Sequence, residues 1–246
     1  MTEKTFLVLD FDGVICDSIH ECFLSSWTAY HSLYRGEPPG PIPDEARRDF
    51  AVLRPFIRTA EDFVLIQEML AEGKSVQDQA EFDAALLRAG AEKRELFRRL
   101  AHEARTRLLE KDRNAWLAMN GLYPHVKQAL LSMKSFPRVA VLSTKKPRFI
   151  IEILRWHGVD LPQERIFESV HEPKLAATER IRLQAACERA LLIEDQVDHI
   201  KGNTNLRVQG RLATWGYVRK EWLTPPLAAP LITPEEFLAL VEELLR

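Results

Sequence analysis

Residues Phe6, Leu7, Val8 and Leu9 form an unbroken apolar run that ends abruptly on Asp10, followed by Phe11, Asp12 and Gly13. A strand with one wet face would alternate apolar and polar residues. A short run without alternation reads as a strand covered on both faces, as in a parallel sheet. Such sheets carry helices on both sides and gather their ligands at the carboxyl ends of the strands. The two carboxylates of the Asp-x-Asp pair therefore fall where an α/β protein does its chemistry, beside a glycine that frees the backbone. Two hard oxygen donors at this spacing suit a divalent cation and a phosphate. Taken alone, the same residues also fit an ordinary turn after a strand.

The rest of the chain repeats the pattern. Residues 138–142, 166–170, 190–193 and 212–215 read as further strands, and the segments between them have helical periodicity. Pro147 opens one of these helices and Gly158 closes it; residues 175–189 form another, and residues 233–244 form an amphipathic tail helix capped by Thr233 before Pro234. Strands alternating with helices imply an α/β fold with a Rossmann-like, doubly wound parallel sheet. One long stretch breaks the rhythm. Ser18 is placed to cap a helix through Cys22, Phe23, Trp27 and Tyr30, the breaker-rich segment 36–43 follows, and residues 44–114 are helical with no strand-like alternation. Within it Gly73 ends one helix, Ser75 starts another, and residues 84–109 carry Arg and Glu on an outer face. The expected organisation is a core of residues 1–17 and 115–246, interrupted by an all-helical cap of residues 18–114, with hinges near 17–18 and 114–123.

Composition narrows the function classes. With 34 Lys and Arg against 36 Asp and Glu in 246 residues, the chain lacks the basic excess of a general nucleic-acid binder. No apolar run approaches membrane-spanning length, and Met1 to Lys4 lead straight into the first strand without a signal peptide. Cys16, Cys22 and Cys187 have no metal-binding spacing and read as free buried thiols, which fits a cytoplasmic protein. Oligomeric state leaves no mark in the sequence.

Three strands thus end in polar groups: Asp10 with Asp12, Ser143 with Thr144 and Lys145, and Glu194 with Asp195. Only a parallel sheet brings ends so distant in sequence together. In this order, with Lys174 between the third strand and its helix, they resemble the four motifs of the haloacid dehalogenase (HAD) superfamily. Asp17-Ser18 and Trp215-Gly216-Tyr217 are similar to its phosphoglycolate-phosphatase-like branch, and the helical insert to that branch's cap, though longer.

The resemblance implies a magnesium-dependent phosphatase of a small phosphorylated metabolite. Asp10 would be the nucleophile that forms an aspartyl-phosphate, and Asp12 the general acid and then base. Ser143, Thr144 and Lys174 would hold the phosphate. Mg2+ would be bound by Asp10, the Asp12 carbonyl and Asp195, with Glu194 binding directly or through water. Asp12 favours phosphoryl transfer over dehalogenation, because halide departure needs no proton. The motifs also depart from the pattern. The segment around Lys174 lacks the usual Lys-Pro-x-Pro form, and Lys145 competes as the phosphate lysine. Ser143 alone fits a helix cap, Asp198 a helix-start acid, and His199 a surface or satisfied histidine. Arg54, Arg58 and Lys74 are candidate cap contacts to a substrate anion, against the plainer reading of a solvated face. Two other outcomes remain open on the residues: a phosphosugar mutase resembling β-phosphoglucomutase, or a catalytically weak module that binds a phosphorylated ligand. Phosphonoacetaldehyde hydrolysis would require a Schiff-base lysine in the insert, where Lys74 and Lys93 are the candidates.

Overall fold

A computed structural model describes residues 4–37, 41–133, 135, 138–170, 172–224 and 229–245. The expectations about Met1 to Glu3, about part of the 36–43 segment and about His171 lie outside them. The chain divides into two compact units, residues 1–17 with 121–246, and residues 18–120.

In the first unit the strands are β1 (Thr5–Leu9), β2 (Cys16–Asp17), β3 (Gly121–Leu122), β4 (Val139–Ser143), β5 (Ile166–Glu168), β6 (Arg189–Glu194), β7 (Val208–Ala213) and β8 (Leu231–Ile232). Among the described residues, six of them form a parallel sheet in the order β5-β4-β1-β6-β7-β8. β2 and β3 pair antiparallel as a separate ribbon. β1 lies in the middle of the sheet, between β4 and β6, which explains its unbroken apolar run. Phe6 and Val8 pack on one face with Ala177 and Ile181, while Leu7 and Leu9 are buried on the other. Parallel pairing puts the ends of β1, β4 and β6 on the same edge. Leu9 pairs with both Val141 and Ile193, so Asp10, Ser143 and Glu194 emerge side by side.

The second unit holds α1 (Ile19–Thr28), continued by a π-helical turn to Tyr34, then α2 (Asp44–Leu53), α3 (Ala60–Ala71), α4 (Gln79–Lys111) and α5 (Arg113–Ala118). Its core is aromatic: Phe23, Phe50, Phe56, Phe63, Phe82 and Phe97 are buried together. The first unit supplies the remaining helices, α6 (Pro124–Ser132), α7 (Pro147–Trp156), α8 (Lys174–Gln184) and α9 (Pro234–Leu245).

Several local expectations need correction. Ser18 precedes α1 but makes no capping hydrogen bond through its side chain. The helix after Gly73 starts at Gln79, where Asp78 accepts from Glu81 N at 2.9 Å; Ser75 does not cap it. α4 is interrupted at Gly90, whose φ of 76° no neighbouring helical residue shares. Not every arginine of α4 faces outward. Arg105 is buried and donates to Glu21 at 2.7 and 3.2 Å, with Ser25 Oγ on the same carboxylate at 2.6 Å. Helix α8 ends at Gln184, five residues early. Strand β5 stops at Glu168, and β7 begins at Val208, ahead of the expected 212. Thr233 behaves as read: its Oγ accepts from Glu236 N while Glu236 returns a bond to Thr233 N, a capping box. The three cysteines are buried and form no disulfide. Among the described residues, no helix is long and apolar enough to cross a membrane.

Candidate active site

The edge where β1, β4 and β6 end collects the charged residues singled out in the sequence. Asp10 follows β1 directly, held by its N–H to the Ile193 carbonyl at 2.9 Å. Its side chain is buried, and Oδ1 has no hydrogen bond of good geometry. The close cation is Lys174, whose Nζ lies 2.8 Å from that oxygen. Burial, with the negative charge of Glu194 nearby, lifts the Asp10 carboxyl from 3.8 to about 6; Lys174 pulls the other way without cancelling it.

Lys174 is the first residue of α8, not a loop residue, and it is buried. A cation at a helix N-terminus opposes the helix dipole. Lys174 is held there by two carboxylates, Asp10 and Glu194, the latter 2.7 Å from Nζ. Burial alone would lower the Lys174 pKa, but these charges outweigh it and raise it above the ordinary lysine value. Glu194 behaves conversely. Burial would raise its pKa, yet Lys174 and His199 hold the carboxyl well below the usual range.

Asp12 has its own lysine. Lys145 Nζ donates to Asp12 Oδ1 at 2.8 Å and lies 5.4 Å above the Phe11 ring. Lys174 and Lys145, the two candidate phosphate lysines, are both buried, one against each aspartate. Ser143 ends β4 with its Oγ accepting from Lys145 N at 3.3 Å, while its carbonyl accepts from Ser169 N at 2.9 Å. It does not cap α7, whose N-cap position is Lys146. Thr144 follows in the same turn, half-buried.

Asp195 is buried and fastened to the loop after β7. Its Oδ2 accepts from Tyr217 N at 3.0 Å. Tyr217 also donates its hydroxyl to Asp17 at 2.7 Å, and Trp215 donates to the Val14 carbonyl at 3.0 Å. The two short motifs Asp17-Ser18 and Trp215-Gly216-Tyr217 thus meet through Asp17 and Tyr217. Two glycines make room for this arrangement. A Cβ on Gly13, whose φ is 89°, would run into the Asp195 carboxylate, and one on Gly216 would meet Asp195 and the Gly13 carbonyl. Asp10, Glu194 and Asp195 each offer an oxygen such that all three lie within 4.8 Å of one another. An all-carboxylate set of hard oxygens, all of them buried, fits a small divalent cation such as magnesium.

His199 is a satisfied histidine, one of the two readings its sequence context favoured. A one-turn 3-10 helix, Val197–His199, folds it back so that Nδ1 bonds Glu194 Oε1. The turn is stabilised by Gln196, whose side chain accepts from Asp198 N at 3.3 Å, and Asp198 pairs with Lys201. A five-residue separation has no periodicity that would have linked His199 to Glu194. The candidate cap contacts are engaged within their own unit: Arg58 pairs with Asp83, Lys74 with Glu72 at 2.6 Å, and buried Arg54 lies over the Phe63 ring.

The model of the haloacid dehalogenase-like hydrolases matches residues 5–205, and the chain belongs to that family. It is a hydrolase by that membership. No curated protein sequence matches it. Solved structures share its fold at low identity. They include a predicted phosphatase from Clostridium acetobutylicum (14% identity, TM-score 0.59), where the match covers 98% of this chain and 100% of the other. A predicted phosphoglycolate phosphatase from Haemophilus somnus is 16% identical with a TM-score of 0.59, covering 99% of both chains. A hydrolase from Pseudomonas syringae is 14% identical with a TM-score of 0.58, covering 98% of this chain and 99% of the other.

Proposed function

We propose that the chain is a magnesium-dependent phosphatase acting on a small phosphorylated metabolite through an aspartyl-phosphate on Asp10. The observation that carries this reading is Asp10 itself, a buried carboxylate whose Oδ1 makes no hydrogen bond of good geometry and has the buried Lys174 ammonium 2.8 Å away. A structural aspartate would have its lone pairs satisfied. A nucleophile needs one oxygen available, with positive charge beside it to offset repulsion from an anionic phosphate.

In this reading Asp10 attacks phosphorus and the ester oxygen leaves. Asp12 protonates that oxygen, then takes a proton from the water that hydrolyses the acyl phosphate. Lys145 holds the Asp12 carboxylate oriented through Oδ1. Lys174 stabilises the negative charge spread over the equatorial phosphate oxygens, and Ser143 and Thr144 bind those oxygens from the β4 turn. Asp10, the Asp12 carbonyl and Asp195 would hold the magnesium ion. When bound, it supplies the charge neutralisation that lets a carboxylate approach a phosphate dianion. Residues 18–120 would act as the cap that selects the substrate.

The fold relatives described as predicted phosphatases support the reaction class. Phosphonoacetaldehyde hydrolysis has no support. Lys93 is paired with Glu68 at 2.5 Å, which outweighs burial and raises its pKa, whereas a Schiff-base lysine needs a lowered one. The test is phosphate release from a panel of phosphorylated metabolites, with and without magnesium, for wild type and Asp10→Asn. Magnesium-dependent release that disappears in the variant is the expected result. Isomerisation of a sugar phosphate without release would point to the mutase instead, and binding without turnover would point to a phospholigand module.

A further inference from the structure

Glu194 stands within reach of Asp10 and Asp195, so proximity alone makes it a third metal ligand. Its hydrogen bonds say otherwise. An ionised carboxylate has about four lone-pair positions. On Glu194, Oε1 is taken by Lys174 Nζ at 2.7 Å and by His199 Nδ1. Oε2 is taken by the backbone N–H groups of Asp195 at 2.7 Å and Gln196 at 3.3 Å. The side chain is fully buried, so nothing is left for a solvent-borne ligand. Asp10 is less fully engaged: its Oδ1 faces the Lys174 ammonium at 2.8 Å but makes no hydrogen bond of good geometry.

We propose that Glu194 does not ligate the metal but is a positioning carboxylate that holds Lys174 against Asp10, and that His199 is the residue that locks it in that role. Asp10 and Asp195 are then the two side chains left to the ion. The proposal rests on the phosphatase reading for its metal, but the contact it assigns to His199 does not depend on one. Without the imidazole, Glu194 Oε1 loses one of its two partners and gains freedom to rotate toward the ion, drawing Lys174 with it. A ring nitrogen facing a carboxylate that can only accept must carry the proton, so the Nδ1–H tautomer is the one assigned. Any side chain that presents an N–H at that place can substitute in part.

Three measurements on the full-length protein test this. The first is magnesium binding by titration calorimetry to chelator-stripped protein. The double variant Lys174→Met/Glu194→Gln keeps the net charge of the site, so magnesium affinity should stay within about threefold of wild type, whereas Asp195→Asn should lose at least tenfold. Equal losses in the two would make Glu194 a ligand and overturn the proposal. The second is steady-state phosphate release. His199→Ala should lower kcat by tenfold or more with little change in KM or in magnesium affinity, and His199→Gln, which restores an N–H donor, should recover part of it. An unchanged kcat, or a loss that appears entirely in magnesium affinity, would refute the role of His199. The third is thermal unfolding of the metal-free protein for His199→Ala, Glu194→Gln and the double variant. Non-additive effects would support the His199–Glu194 contact and additive ones would remove it. A wild type that binds no magnesium would sink the metal-dependent reading instead, and the metal-free cycle would still decide the contact.

Discussion

Asp10 is expected to destabilise the metal-free protein, and replacing it with asparagine should make that protein more stable while abolishing turnover. Its carboxyl is lifted from 3.8 to about 6, first by burial, then by Glu194, against the pull of Lys174. At about 1.36 kcal/mol per unit, the ionised form at neutral pH costs the native state ~3 kcal/mol relative to a neutral isostere. Asparagine has nearly the same shape and no charge, and Lys174 keeps Glu194 as its partner. A chain of this length responds by about 2–4 °C per kcal/mol, so chelator-treated Asp10→Asn should melt roughly 6–12 °C above wild type near pH 7.5.

The sign of the pH dependence follows from the raised pKa. A raised acid is at its least favourable when ionised, so the wild-type penalty is full above about pH 6 and fades as protons return. Linkage gives a gap of about 1 kcal/mol at pH 4.5, vanishing below the unfolded-state pKa. Glu194, whose carboxyl Lys174 and His199 hold low, is present in both proteins, so its own contribution largely cancels in the comparison. Differential scanning calorimetry of both proteins across pH 4–8 is the assay. A metal-free variant no more stable than wild type at pH 7.5, or a gap that has not shrunk to about 0.5 kcal/mol by pH 4, would refute the argument that the Asp10 carboxylate is held under electrostatic strain.

Magnesium at about a hundredfold over its Kd should stabilise the wild type by ~2.7 kcal/mol, with a smaller rise in melting temperature for Asp195→Asn; equal rises would place the ion elsewhere. Asp12→Asn should lower kcat by about 10²–10⁴ on an alkyl phosphate and much less on p-nitrophenyl phosphate, whose leaving group needs no proton; equal losses would deny Asp12 the acid role. Gly13→Ala should cost roughly 1–2 kcal/mol from its positive φ alone and should weaken magnesium binding, because the new methyl displaces the Asp195 carboxylate. In the helical unit, Glu21→Leu should cost about 3–5 kcal/mol in urea unfolding by leaving Arg105 buried and unpaired, while Glu21→Leu/Arg105→Met should recover most of it.

The parallel sheet was legible because each central strand, buried on both faces, must be written as an apolar run, and the polar residue ending each run marks the same edge. β1, β4 and β6 could be found that way, whereas the two-residue strand β8 carries too few residues to make a pattern. Helix starts were harder. Ser75 and Asp78 are both chemically fit to cap, and the choice of Asp78 depends on where the chain goes after Gly73. Arg105 was misread because a helical arginine is usually solvated, and its buried partner Glu21 lies on another helix.

The site shows the same limit in sharper form. Sequence order delivers Asp10, Ser143 and Glu194 to one edge, since parallel register leaves no alternative, but it cannot say which cation meets which anion. Lys145 and Lys174 looked like rivals for one task. In the fold, the turn after β4 carries Lys145 to Asp12, and the start of α8 carries Lys174 to Asp10 and Glu194. The two aspartates of one Asp-x-Asp pair thereby acquire separate counter-charges, as a nucleophile and a proton-transfer group with different demands would require. On the proposed reading His199 completes the separation: by occupying Glu194 it would keep Lys174 on the Asp10 side of the site. A five-residue reversal after β6, invisible to any periodicity, therefore decides how the charges found in the sequence are divided between their roles.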